Sequence, residues 1–108
     1  MMILMLAALA AADRPVVVSS LTTQKLAQQC QGADSDPAFT FCTGYILGEF
    51  DSLSLAHQIC PTSSVLTSNL DVVAEARKYL RAHAAKDTRA PAFVIRDVLR
   101  ARFPCKRK

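Results

Sequence analysis

The sequence is poor in glycine, lacks tryptophan and has no apolar run long enough to span a membrane. Its 108 residues include three glycines and five prolines, so hairpin turns, which favour glycine, have little support. This length suits one domain and excludes a two-domain dehydrogenase, a kinase or a TIM barrel. Because alanine, leucine, arginine and lysine are frequent, the composition favours helix over strand.

Motifs for catalysis and nucleotide binding are also missing. The sequence contains no H-E-x-x-H, G-x-S-x-G, P-loop or G-x-G-x-x-G pattern. Glu49 and Asp51 are two residues apart, which places them on different faces of a helix instead of forming a carboxylate pair. His57 and Cys60 are one isolated pair of metal-ligand residue types. The sequence therefore predicts no catalytic residue, no metal site and no cofactor.

The first twelve residues carry no charged side chain. Their apolar run, Ile3–Ala12, is half the length of about 20 residues that a spanning helix needs. It ends in alanine patterns that a signal peptidase reads, after Ala10 or Ala12. We predict a signal peptide over residues 1–12 and one exported domain over residues 13–108, with no stable membrane insertion. The alternative is that the apolar run belongs to the fold.

Four segments carry apolar residues at helical spacing and begin with helix-start signals. They cover about residues 22–31 with Thr22 as N-cap, 37–57 with Asp36 as N-cap before Pro37, 68–84 with Ser68 as N-cap, and 91–103 with Pro91 in the first turn. Short helices with short connections predict an all-α bundle of four main helices. Such helices are marginal alone, so packing and cross-links must stabilise them.

Gly44 and Gly48 lie one turn apart on the second predicted helix, with Tyr45 between them. A glycine inside a helix costs about 1 kcal/mol relative to alanine. We interpret the pair as a helix-packing motif where a neighbouring helix approaches closely, and Tyr45 as a core residue. A ligand touching the bare backbone is the alternative.

Four cysteines in an exported chain predict disulfides. Of the three possible pairings, the sequence favours Cys30 with Cys42 and Cys60 with Cys105. The first pair would staple a helix–loop–helix corner, and the second would tie the last residues to the middle of the chain. Zinc is disfavoured because no two cysteines have C-x-x-C spacing. A catalytic cysteine would need a histidine partner and a free thiol.

Charge is distributed unevenly along the chain. Residues 13–75 contain two basic and seven acidic residues, whereas residues 76–108 contain eleven basic and two acidic residues. A basic surface favours an anionic partner such as an acidic protein, an anionic lipid or the cell envelope. No aromatic residues are interleaved with the basic ones, so nucleic acid is disfavoured. A solvated helix face is the alternative.

Residues 42–51 read C-T-G-Y-I-L-G-E-F-D, which resembles the central C-x-G-Y-x-x-G-x-x-D motif of the Rap/Tai family of type VI secretion immunity proteins. Further features fit this family in the same order over about residues 21–105. They are Cys30, Cys60-Pro61, Lys78-Tyr79-Leu80, His83, Ala90-Pro91-Ala92 and Phe103-Pro104-Cys105.

The resemblance implies a periplasmic, all-helical and often dimeric protein that binds and occludes a peptidoglycan amidase effector. Such an inhibitor needs no chemistry of its own. We predict that the effector contacts the charged loop before the fourth helix, because loops between rigid helices are exposed. The predicted contact residues are Arg81, His83, Lys86, Asp87 and Arg89. Alternatives are a small envelope chaperone with an exposed apolar face, or a minor enzyme using cysteine or histidine.

Overall fold

The computed structural model describes residues 15–32, 40–62 and 68–106, and the regular structure in these ranges is helical throughout. The helices are α1 (Thr23–Gln29), α2 (Phe41–Leu55), α3 (Asn69–His83) and α4 (Pro91–Arg102). The prediction of an all-α fold with four main helices is confirmed. The predicted signal peptide lies outside the described residues.

Three of the predicted helix starts are confirmed. The Thr22 hydroxyl accepts a hydrogen bond from the backbone N–H of Lys25 at 3.1 Å, and the Ser68 hydroxyl accepts one from Asp71 at 3.3 Å. Each bond satisfies one of the free N–H groups in the first turn of a helix. Helix α4 begins at Pro91, where the missing N–H of proline costs nothing.

The predicted start of the second helix is wrong. Asp36 and Pro37 lie outside the described residues, but α2 begins only at Phe41. Thr40 has extended backbone angles, and its hydroxyl accepts a hydrogen bond from the N–H of Thr43 at 3.3 Å. Because Thr40 is the N-cap, a continuous helix from Pro37 through this position does not form.

Helix α2 also ends two residues earlier than predicted, because His57 adopts a left-handed conformation with φ 56°. Its N–H donates to the carbonyl of Ser54, and the N–H of Gln58 donates to that of Leu53. These two bonds form a Schellman motif, which usually places glycine where His57 stands. The turn directs Ile59 into the core, where it is buried.

The core lies where α2, α3 and α4 pack against one another, and α1 contacts all three. Its fully buried aliphatic side chains include Leu26, Ile46, Ile59, Val72, Val94, Ile95 and Leu99. Phe50 of α2 meets Phe103 edge to face with ring centroids 5.5 Å apart, a favoured aromatic geometry. Helix α4 is thereby fixed at its carboxyl end.

Two disulfides close the bundle, and they join the pairs that the sequence favoured. Cys30 at the end of α1 is bonded to Cys42 in the first turn of α2. Cys60, after α2, is bonded to Cys105, after α4. The backbone N–H of Cys60 also donates to the carbonyl of Phe103 at 2.9 Å. The carboxyl-terminal segment is therefore tied to the middle of the chain by covalent and hydrogen bonds.

The close helix approach predicted at Gly44 and Gly48 is wrong among the described residues. Both glycines are exposed, and a Cβ atom added at either would meet no described heavy atom within 4 Å. Tyr45 is half-buried and packs against the edge of the core. The helices of this chain pack on the opposite side of α2, so the glycines lie on its outer face.

Candidate functional site

The loop between α3 and α4, residues 84–90, is organised around the carboxylate of Asp87. One oxygen, Oδ2, accepts hydrogen bonds from the Tyr79 hydroxyl and from Nη2 of Arg89, both at 2.9 Å. The other oxygen accepts from the backbone N–H and Nε of Arg89, both at 3.1 Å. The Asp87 side chain is only 9% exposed. Four donors thus hold one carboxylate inside the loop.

The same network ties the α3–α4 loop to α4. Nη1 of Arg89 contacts Oδ2 of Asp97 at 2.6 Å, and Oδ1 of Asp97 accepts from Nε of Arg96 at 3.0 Å. Charge-assisted bonds of this kind are shorter and stronger than neutral ones. Arg89 therefore links the loop to a helix as well as to its own neighbour, Asp87.

Ionisation within the network follows from these contacts. Hydrogen bonds from Arg89 hold the pKa of Asp87 well below its usual range. The pKa of Tyr79 is raised, chiefly because its hydroxyl donates to Asp87, and the pKa of Arg89 is raised by the same carboxylate. Asp87 and Arg89 consequently both keep their charges near neutral pH.

Helix α1 holds the loop from the other side. Nε2 of Gln24 donates to the backbone carbonyls of Ala84 at 2.7 Å and Asp87 at 2.8 Å. The buried Thr23 hydroxyl donates to the carbonyl of Arg89 at 2.7 Å. Three carbonyl groups of the loop are thereby satisfied by the first turn of α1.

Four of the five predicted contact residues, His83, Lys86, Asp87 and Arg89, line one shallow hollow at the loop. Asp87 and Arg89 belong to the internal network, whereas Lys86 is exposed and forms no ion pair among the described residues. The His83 ring contacts the Tyr79 ring at a tilt of 41°, with centroids 4.6 Å apart. Arg81 faces a separate depression between α1 and α3. The sequence thus located the loop but not the roles of its residues.

Four residues of the site escaped the sequence analysis: Thr23, Gln24, Tyr79 and Asp97. Tyr79 and Asp97 lie eight residues from Asp87 and from Arg89, respectively, on helices whose relative placement the sequence does not reveal. Thr23 and Gln24 act on partners 60 to 66 residues away. A short sequence motif cannot predict contacts between residues so far apart in the chain.

A groove of about 450 Å³ runs beside the loop between α3 and α4. Small or aliphatic residues form its floor, including Ala82, Val94, Val98 and Ala101. Tyr79, His83 and Arg89 line both this groove and a shallower hollow at the loop itself. The loop and the groove therefore form one continuous surface.

Glu49 is the most perturbed carboxyl group outside the loop. Its Oε2 atom is buried and has no hydrogen-bond partner among the described residues. Burial raises the pKa of Glu49 to about 8, although the charge of Arg96 on α4 lowers it in part. Burial, followed by repulsion from Glu49, also raises the pKa of Tyr45.

Three features are absent from the described residues: metal-ligand clusters, free thiols and helices able to span a membrane. They contain no cluster of three or more His, Cys, Asp or Glu side chains that could hold a metal ion. Both disulfides together use all four cysteines, which leaves no free thiol. None of the described helices is both long and apolar enough to cross a membrane.

The sequence model of the Rap1a immunity proteins matches residues 22–105, a stretch that includes all four helices and both disulfides. No curated protein and no solved structure matches the chain. The resemblance carried by the cysteines and the G-Y-x-x-G pattern is confirmed. The chain belongs to the family of Rap1a immunity proteins, which indicates a role in immunity against a secreted effector.

Proposed function

We propose that the protein binds a secreted peptidoglycan amidase in the periplasm and blocks its substrate cleft with the α3–α4 loop. The proposal rests on the contacts of the α3–α4 loop, which is held from two sides. Asp87 and Arg89 fix it to α3 and α4, and Gln24 fixes it to α1. Its Lys86 and Thr88 side chains remain exposed.

A fixed loop favours tight inhibition. Ordering a flexible backbone costs about 1–2 kcal/mol per residue, so a flexible loop of this length would lose on the order of 7 kcal/mol or more upon binding. Protection of a cell calls for a Kd near the nanomolar range, about −12 kcal/mol. A loop ordered before the encounter avoids most of that loss.

The contact surface extends beyond the loop. A stable complex buries about 800 Å² on each partner, from roughly 20–30 residues a side, and one short loop cannot supply this. The adjoining groove adds an apolar floor with exposed Lys78 and Arg102 at its rim. Since the carboxyl-terminal third of the chain is strongly basic, we expect an acidic surface on the amidase.

Two features support export to the periplasm. Residues 1–12 have the composition of a signal peptide. The fold also contains two disulfides, which form and persist in oxidising compartments such as the periplasm.

A second copy of the chain is part of the proposal. Phe41, Gly44, Gly48 and Leu55 share one face of α2 by helical spacing, and all four are exposed. This face accepts a helix from a second copy, with the glycines at the point of closest approach. Light scattering should give twice the mass of one chain, and Gly48→Arg should give the mass of one chain with unchanged helix content. A monomeric wild-type protein would contradict this part.

Co-expression tests the function directly. The peptidoglycan amidase encoded beside this gene is sent to the periplasm of a host cell, with either the full chain or a chain lacking residues 2–12. The full chain should prevent lysis and co-purify with the amidase, whereas the shortened chain should not protect the cell. Lysis that is equal with and without the full chain would contradict the proposal.

A further inference from the structure

We propose that Thr23 and Gln24 of α1 are positioning residues for the α3–α4 loop, and that the Cys30–Cys42 disulfide keeps them in place. The loop's ordered conformation then depends on oxidation of one cysteine pair. The consequence for effector binding rests on the proposed function, whereas the effect on the loop does not.

The contacts of α1 fall on the loop's backbone. Together Thr23 and Gln24 donate three hydrogen bonds of 2.7–2.8 Å to loop carbonyls. The Thr23 side chain is fully buried, so its part-buried bond to Arg89 is partly shielded from competing water. Removing a donor from a buried carbonyl costs more than the net value of the bond, because the acceptor is left unsatisfied. The first turn of α1 therefore restrains the loop along its length.

Helix α1 cannot supply this restraint unaided. It has seven residues, and isolated helices shorter than about 12–15 residues are marginal in water. Its described anchors include the buried Leu26 side chain, Ala27 packed against the core, the loop contacts and the disulfide from Cys30 to Cys42. Opening the disulfide frees the carboxyl end of α1 and weakens the hold of its amino end on the loop.

The remaining contacts predict a local effect. Without the α1 contacts to the loop, Asp87 and Arg89 still connect the loop to Tyr79 and Asp97, and α2, α3 and α4 still contact one another. Loss of the α1 contacts should therefore loosen residues 84–90 before the rest of the bundle. Amide hydrogen exchange separates such local opening from global unfolding.

The first test uses two glutamines on the same helix. Gln24→Ala removes two bonds to the loop, whereas Gln28→Ala removes an exposed side chain one turn later. In the free protein, Gln24→Ala should speed exchange of the Asp87 and Arg89 amides roughly tenfold, and Gln28→Ala should leave it unchanged. Equal rates in the two variants would overturn the proposal.

Thr23 provides a rescue experiment. Thr23→Val keeps the shape of the side chain but removes the donor, so exchange in the loop should again rise. Thr23→Ser keeps the hydroxyl and should restore wild-type exchange. A structural role alone would make Thr23→Ser the more harmful change, because it deletes a buried methyl group, and that result would contradict a positioning role.

The two disulfides form a matched pair for the second test. Cys30→Ser/Cys42→Ser should speed exchange selectively in residues 84–90. Cys60→Ser/Cys105→Ser should instead raise exchange throughout the bundle. If Cys30→Ser/Cys42→Ser speeds exchange equally in loop and core, or unfolds the protein, the selective link to oxidation is wrong.

Amidase binding then separates this inference from the proposed function. The Kd for the amidase encoded beside the gene should rise about tenfold in Gln24→Ala and stay constant in Gln28→Ala. Loop exchange that behaves as predicted while the wild-type protein fails to bind would leave the positioning role intact and refute the function. Equal binding by both variants would refute the role of α1 in binding and leave the function intact.

Discussion

Glu49 shows what burial of one carboxyl group does to this small domain. Its pKa is raised to about 8 in the folded protein, chiefly by burial, against an unfolded value near 4.3. The folded state therefore binds the proton more tightly than the unfolded state. Protonated Glu49 therefore contributes fully to the free energy of unfolding below about pH 4. This contribution is lost as the pH rises to about 8.

A single substitution tests this pH dependence. Glu49→Gln keeps the size of the side chain and cannot ionise. The variant should exceed the wild type in free energy of unfolding by roughly 1–2 kcal/mol at pH 8.5, a value reduced for partial solvent screening. The difference should shrink by pH 4.5 in urea titrations. A difference that is constant with pH would contradict the assignment to Glu49.

Asp87 illustrates a residue whose charge acts inside the protein. Asp87→Asn removes the negative acceptor of the Tyr79 hydroxyl, so the raised pKa of Tyr79 should fall toward 10. Ultraviolet titration of the phenol measures this change, with Tyr79→Phe identifying the signal. The exposed Asp51→Asn is the control and should leave Tyr79 unchanged. An unaltered titration in Asp87→Asn would show that the hydrogen bond does not form in solution.

At the scale of the elements, the end of α2 uses a residue that the backbone disfavours. His57 has φ 56°, and the left-handed region costs a residue with a Cβ atom roughly 1 kcal/mol or more. His57→Gly should therefore raise the free energy of unfolding by about 0.5–1 kcal/mol. Gln58→Gly, one residue later, should not stabilise. Urea titration measures the free energy of unfolding of both variants. A loss of stability in His57→Gly would mean that the histidine side chain makes contacts that outweigh the backbone strain.

The helix starts show which structural features the local sequence determines. Thr22, Ser68 and Pro91 were found from the sequence because a cap and its partner lie within three or four residues. The start of α2 was misplaced because Asp36-Pro37 and Thr40 are competing signals, and Thr40 caps the helix. Such competition is decided by packing of the whole bundle.

The α3–α4 loop marks the limit of sequence reasoning. Its exposure and charge were predicted, yet the hydrogen bonds that Asp87 and Arg89 make to Tyr79 and Asp97 were not, since these depend on how α3 and α4 are placed. The donors from α1 are more than fifty residues distant in sequence. Only the folded chain brings Thr23 and Gln24 to the loop.

At the scale of the whole molecule, the disulfides contribute unequally. Cys60 and Cys105 are 45 residues apart and Cys30 and Cys42 are 12 apart. Loop entropy gives about 4 kcal/mol for the longer closure and about 3 kcal/mol for the shorter. Either value is a large share of the roughly 5–10 kcal/mol expected for a domain of this size.

The ranking is testable by urea denaturation of the two double-serine variants. Cys60→Ser/Cys105→Ser should lose more stability than Cys30→Ser/Cys42→Ser, by about 1 kcal/mol. The reverse order would mean that contacts of α1 matter more to global stability than the closure of the long loop.

Together these features describe a basic helical body cross-linked by two disulfides. We propose that the fixed α3–α4 loop meets the effector, and calorimetry can test this contact with two lysines. Lys86 lies in the loop and Lys25 on α1; both are exposed and form no ion pair among the described residues. Lys86→Glu and Lys25→Glu therefore change net charge equally while leaving the internal network untouched.

The decisive measurement is the Kd of each variant for the peptidoglycan amidase encoded beside the gene. We predict nanomolar binding by the wild type, a Kd at least about tenfold higher for Lys86→Glu, and a Kd close to wild type for Lys25→Glu. Equal affinities for Lys86→Glu and Lys25→Glu, or no binding by the wild type, would contradict the account.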